Sequence, residues 1–217
     1  MKAPDSLRTA IARDLTPARP LARPSIRALA LVPFAIAIVI GIPALHVFRP
    51  DMTVIGFIRA WGFSIGQAAA GCIIVAVALR ESVPGRTLSR AALATTIGLG
   101  IALPAIVLLL TTSTFTIGPA DHAVAEGFAC FRTSALAALP ALVFAALLAA
   151  RALPLRPVVA GALYGLGAGL MSDAGLRLYC DYSMLSHVLF AHMGAVAGVS
   201  IAGAALGSAI QWIRRDM

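Results

Sequence analysis

The sequence predicts an all-α membrane protein: a six-transmembrane-helix bundle with a cytoplasmic N-terminal amphipathic tail and both termini cytoplasmic. Three observations predict it. Six apolar runs recur along the chain, each of about the 20 residues needed to cross a hydrocarbon core about 30 Å thick. Only 12% of the 217 residues are charged and 60% are hydrophobic, against roughly 25% charged in an ordinary soluble domain. The loops between runs alternate between strongly and weakly basic, as membrane topology requires.

The tail, residues 1–27, is polar and basic. Within it, Leu7, Ile11 and Leu15 fall at i, i+4 and i+8 with Ala10 beside them, one face of a helix over Asp5–Leu15. Asp5 in the first turn and Arg13 in the last suit the helix dipole. Pro17, Pro20 and Pro24 then stop that helix and keep the following stalk extended. A helix this short is marginal alone in water, so it orders either on a partner or flat on lipid headgroups.

The transmembrane domain follows over 28–213. Its first run, Ala28–Val47, holds no Lys, Arg, Asp or Glu and sits between Arg27 and Arg49. It fixes how the chain threads and tethers the tail. A cleavable signal peptide has an apolar core of only about 7–15 residues, so this run is read as retained. The others are Ala60–Leu79, Ala91–Leu110, Phe128–Ala150, Val158–Leu176 and His187–Ile213. On one side fall Lys2, Arg8, Arg13, Arg19, Arg23, Arg27, Arg80, Arg86, Arg90, Arg151, Arg156, Arg214 and Arg215. The other side takes only Arg49, Arg59, Arg132 and Arg177. The basic side is the cytoplasmic one. The formal charge of +8 is thus topological; with 6% aromatics and no basic run interleaved with them, no direct nucleic-acid contact is expected.

Polar residues are sparse within the spans: Gln67 in the second, Asp173 near the outer end of the fifth, His192 in the sixth. Gln67 and His192 read as interhelical hydrogen bonds. Gly161, Gly165 and Gly169, with Gly62/Gly66, Gly194/Gly198 and Gly203/Gly207, recur every fourth residue, a spacing for close helix approach within the bundle or between the protomers of a homodimer.

Cys72 lies mid-span and reads as packing. Cys130 and Cys180 both fall on the outer side, where disulfides persist. A bridge between them would close a loop of about 50 residues and contribute roughly 2–4 kcal/mol. A structural disulfide or paired thiols is the reading. His122, His187, Asp181 and Glu126 share that side, but the spacing matches no zinc motif, so no metal site and no cofactor is expected. Nor is there a C-x-x-C pair, a nucleophile triad or a carboxylate pair, so no enzyme activity is expected.

Several stretches carry a family likeness. They are Leu7-x-x-x-Ile11-Ala12-x-Asp14-Leu15-x-Pro17 with its basic Pro stalk, Arg49-Pro50-Asp51, Pro84-Gly85-Arg86, Cys130, and Cys180-Asp181 with His187 downstream. In this order within a six-helix frame, the chain resembles the NrsF-type membrane regulators, bacterial inner-membrane anti-sigma proteins that hold an ECF-type sigma factor. The resemblance departs after the second Cys, where Asp181 stands in place of an expected Pro. It implies an inner (cytoplasmic) membrane protein whose tail sequesters the sigma factor through Leu7, Ile11 and Leu15, with Arg8 and Asp14 setting register. It also implies that Cys130 and Cys180 form the outward sensor pair whose redox or metal signal releases the partner. The alternatives from other classes are a small membrane transporter, disfavoured by the uncharged spans, and a thiol-redox membrane protein, disfavoured by the missing C-x-x-C.

Overall fold

A computed structural model describes residues 5–14, 20–114, 124–150, 152, 154–182 and 184–215. These residues form helices with no strand among them: α1 Asp5–Asp14, α2 Pro24–Leu29, α3 Val32–Leu45, α4 Met52–Ile55, α5 Phe57–Glu81, α6 Arg90–Thr114, α7 Val124–Ala149, α8 Pro157–Leu176, α9 Leu185–His187, a π-helical turn Val188–Met193, and α10 Gly194–Arg215. Among the described residues five stretches are long and apolar enough to cross a membrane: Pro24–Leu45, Phe57–Glu81, Arg90–Val107, Gly127–Ala149 and Leu185–Ile213. The fifth expected span, Val158–Leu176, forms the 20-residue α8 but is not one of these five. Its glycines, Ser172 and Asp173 interrupt the apolar run.

That composition suits its place. Seventeen of the 20 residues of α8 are buried, and it packs against α10, α5, α7, α3 and α6. The bundle is therefore built around the fifth apolar run, with the first run packed on its side. Small residues allow this crowding. Gly161 and Gly165 lie against the backbone of Gly203 and Val199 of α10, and Gly207 against that of Pro157. Gly167 faces Gly71 of α5, where a Cβ would come within 2.6 Å of its carbonyl oxygen, and Gly175 would meet Ile38 of α3 at the same distance. The glycine stripes of α8 and α10 thus serve contacts inside one chain, whereas Gly62 and Gly66 have nothing within 4 Å.

Two expectations about the entry to the bundle are corrected. Pro24 does not extend the stalk; it opens α2 at the first helical turn, a position where a fixed φ and a missing N–H cost nothing. The packed part of the chain also begins before residue 28. Arg27 is 8% exposed, and its guanidinium donates to the Leu148 carbonyl of α7. The first span is accordingly Pro24–Leu45, with a turn at Ala30–Leu31 dividing it.

The end of the bundle nearest the tail is closed by a second buried group. Glu81, expected in a polar turn, has 0% exposure. Arg156 donates to its Oε1 at 2.7 Å, the Leu88 N–H donates to its Oε2 at 2.6 Å, and Arg156 also reaches the Leu88 carbonyl at 2.8 Å. Next to it the Ser82 and Tyr164 hydroxyls share a hydrogen bond. The α5–α6 turn is thereby stapled to the start of α8.

The contrast between glycines gives a test. Gly165→Leu forces α8 and α10 apart and should destabilise by about 1–3 kcal/mol. Gly66→Leu, which enters open space, should leave thermal unfolding in detergent close to that of the intact chain.

Candidate functional site

At the opposite end of α8 the chain gathers its chemistry. Cys130 lies in the second turn of α7, and Cys180 in the loop just after α8, where its N–H donates to the Leu176 carbonyl at 2.7 Å. The two thiols are free, buried and 4.0 Å apart. His187 joins them, its Nε2 at 3.2 Å from the Cys180 sulfur. Ligand atoms of Cys130, Cys180 and His187 all lie within 4.8 Å of one another. The hydrogen bond with Cys130 and then burial hold the Cys180 thiol above the usual thiol range. Ionisation of Cys180 is thereby disfavoured.

The imidazole arrives through the π-helical turn. His187 and His192 are five residues apart, so on an α-helix they would diverge by about 140°. The i→i+5 turn over Val188–Met193 brings them to one face, with ring centroids 5.7 Å apart. Tyr182 packs on the other side of His187 at 5.0 Å.

His192 leads inward to Asp173. Its Nδ1 donates to Asp173 Oδ1 at 2.6 Å. Gln67 of α5 donates to Oδ2 at 2.5 Å, and Arg177 donates to the same oxygen at 3.0 Å. Asp173 is fully buried, so these donors are what keeps a carboxylate tolerable there. Arg49 tightens the edge. It grips Asp51 through two bonds of 2.5 and 2.7 Å and reaches the Arg177 carbonyl at 3.3 Å. Between the thiol and carboxylate clusters lies a cavity of about 40 Å³ bordered by Arg49, Ser64, Arg177, Cys180, Tyr182 and His192. That is room for a few water molecules among polar partners.

The three-ligand set fits a thiophilic divalent cation. On tetrahedral zinc with bonds of about 2.3 Å, two thiolates sit roughly 3.8 Å apart, close to the separation here. The same two thiols also form a dithiol pair.

The sequence-predicted sensor residues Cys130 and Cys180 are thus brought together. His187 and Asp173 were visible in sequence only as outer-side residues; the fold makes one a partner of the thiols and the other the hub of the network. Only the i,i+4 pairing of Asp173 with Arg177 is a local spacing; the contacts of Asp173 with Gln67 and His192 run between helices. Asp181 lies in the described loop. Asp121 and His122 lie outside the described residues, as does the side chain of Glu126. Of the predicted tail residues, Ile11 is 51% exposed on α1, and every other described side chain of that helix is exposed too. The side chains of Leu7, Arg8 and Asp14, and Leu15 as a whole, lie outside what is described. Cys72 is half-buried in α5.

Removing the hub should be costly. Asp173→Ala leaves Arg177 and His192 buried without their acceptor, a change worth about 3–5 kcal/mol. Gln67→Leu, which removes a neutral donor, should cost about 1–3 kcal/mol. Thermal unfolding of the detergent-solubilised variants checks the order.

A family model described as NrsF, negative regulator of sigma F, matches residues 11–212. No curated protein and no solved structure matches the chain.

Proposed function

The chain belongs to the NrsF family of negative regulators of a sigma factor, and from that premise we propose that it is a six-span anti-sigma protein of the bacterial inner membrane, holding an ECF-type sigma factor through its cytoplasmic tail. The observation that carries the reading is the family match across nearly the whole chain. Two features of the molecule support the finer parts. α1 carries its described side chains, Ile11 included, exposed and away from the bundle core. An amphipathic helix of 10 residues displayed in this way suits docking into a groove of a partner. The positive-charge asymmetry favours a cytoplasmic α1, on the side where a sigma factor is met.

The signal enters at the other end. Oxidation of Cys130 and Cys180 to a disulfide would draw the two sulfurs together, whereas capture of a soft cation by the two thiolates with His187 would lock α7, the loop after α8 and the π-helical turn to one another. Because α8 contacts nearly every other long helix, a shift at its outer end is shared across the bundle. To matter, the signal must favour the released state by a few kcal/mol. Membrane transport and thiol oxidation of a substrate are the competing readings; solute flux in vesicles or quinone-dependent thiol oxidation would support them.

Affinity capture from detergent extract tests the tail. The intact chain should bring down a sigma factor, and Leu7→Asp/Ile11→Asp should lose it while still folding. If neither chain captures one, the anti-sigma reading fails. A second experiment tests the thiols. A membrane-impermeant oxidant or a cadmium salt added outside should release the sigma factor from the intact chain and not from Cys130→Ser/Cys180→Ser. Equal release from both would remove the thiols from the mechanism.

A further inference from the structure

Near the foot of the tail, α5 carries Ile73, Ala76, Val77 and Arg80 at i, i+3, i+4 and i+7, one face of the helix. Ile73 is 64% exposed and Ala76 and Val77 are half-buried, so protein covers this stripe only in part. After α5 the chain reverses through Gly85, whose φ of +78° is a conformation that glycine adopts without strain. The reversal brings Arg86 and Thr87 beside the stripe. Pro24 and Ser25, at the start of α2, form the third side. Together these residues line a cleft of about 490 Å³.

The cleft has two chemistries at two depths. Its rim carries the guanidinium groups of Arg80 and Arg86 and the hydroxyls of Ser25 and Thr87; its floor is Ile73, Ala76 and Val77. Ile73 and Arg80 are separated by seven residues, about 10 Å along a helix. The other arginines packed into this end are engaged: Arg156 by Glu81 and Arg27 by the Leu148 carbonyl. The guanidinium groups of Arg80 and Arg86 make no hydrogen bond or ion pair to any described residue. Two uncommitted cations above an apolar trough match an amphiphile whose anionic group and hydrocarbon are joined at that spacing.

We propose that this cleft binds one anionic phospholipid, with its phosphate between Arg80 and Arg86 and the upper part of an acyl chain along Ile73, Ala76 and Val77. The proposal rests on the reading that the helices cross a bilayer. Free inorganic phosphate would satisfy the arginines and leave the trough empty. An acidic protein segment would do the same, so the apolar floor at membrane depth favours the lipid. The bound headgroup would sit directly under Pro24 and Ser25, where the tail leaves the membrane.

The test is retention of lipid by the full chain purified in mild detergent, with phospholipids quantified by mass spectrometry. The intact chain should retain phosphatidylglycerol or another anionic phospholipid, enriched several-fold over its share of the membrane extract. Arg80→Gln/Arg86→Gln and Ile73→Asp should each abolish the enrichment while eluting at the same size. Arg90→Gln, which removes a nearby cation outside the cleft, should keep it. Delipidated protein should regain phosphatidylglycerol and not phosphatidylcholine. The proposal is overturned if the intact chain shows no enrichment, if Arg90→Gln loses as much lipid as the double variant, or if inorganic phosphate displaces the lipid. It is also overturned if Arg80→Gln/Arg86→Gln loses sigma-factor capture with its lipid unchanged, which would give the cleft to the protein partner. Carbonate washing of the membranes checks the spanning reading separately. A chain that stays in the washed pellet without enriched lipid overturns the cleft alone, and a chain that washes off overturns both.

Discussion

A carboxylate with no solvent is the constraint on which the thiol-bearing half of this bundle depends. Asp173 has no exposed surface, so its charge must be met by donors from the protein. They come from separate elements: Gln67 from α5, His192 from the π-helical turn, and Arg177 one turn further along its own helix. Satisfying one residue therefore fixes the relative positions of three elements. Cys180 follows Arg177 by three residues and His187 precedes His192 by five, so the thiol site is placed by the same requirement. The thiols do not organise this end of the bundle; they are carried to it by a network that lies deeper.

α8 has a comparable arrangement at its other end, where Arg156 and Tyr164 meet Glu81 and Ser82. The helix is about 30 Å long, close-packed through glycines, and tied by polar contacts at both ends. Close-packed interiors do not absorb displacement locally. A rod held in this way moves as one piece or not at all, which makes it a better conveyor of a shift between the two faces than any of the lipid-exposed helices.

The apolar runs, the tail helix, the thiol pair and the glycine stripes were all legible in the sequence, because each is a pattern along the chain: a run length, a period or a side assignment. α1 covers Asp5–Asp14 of the expected Asp5–Leu15. What was not legible depends on pairing between distant segments. Glu81 reads as one more loop charge until Arg156, 75 positions on, closes on it. Pro24 reads as the end of a stalk because the residues that make it a helix start are those of α2 packed on α5. The neighbourhood of His187 needed a helix of unusual pitch, and no residue type announces that pitch.

The π-helical turn also acts as a phase shift in the last helix. One residue more than an α-helix would use is taken up within Val188–Met193, so the segments on either side are offset by about 100°, one residue's rotation. The offset lets a single continuous helix present a histidine face at one end and a glycine face toward α8 at the other. Without it, one register would have to serve both demands, and aligning Gly203 and Gly207 with α8 would turn His187 away from the sulfurs. The outer chemistry and the inner packing are thus tuned separately on one helix, and the length of that turn sets the angle between them.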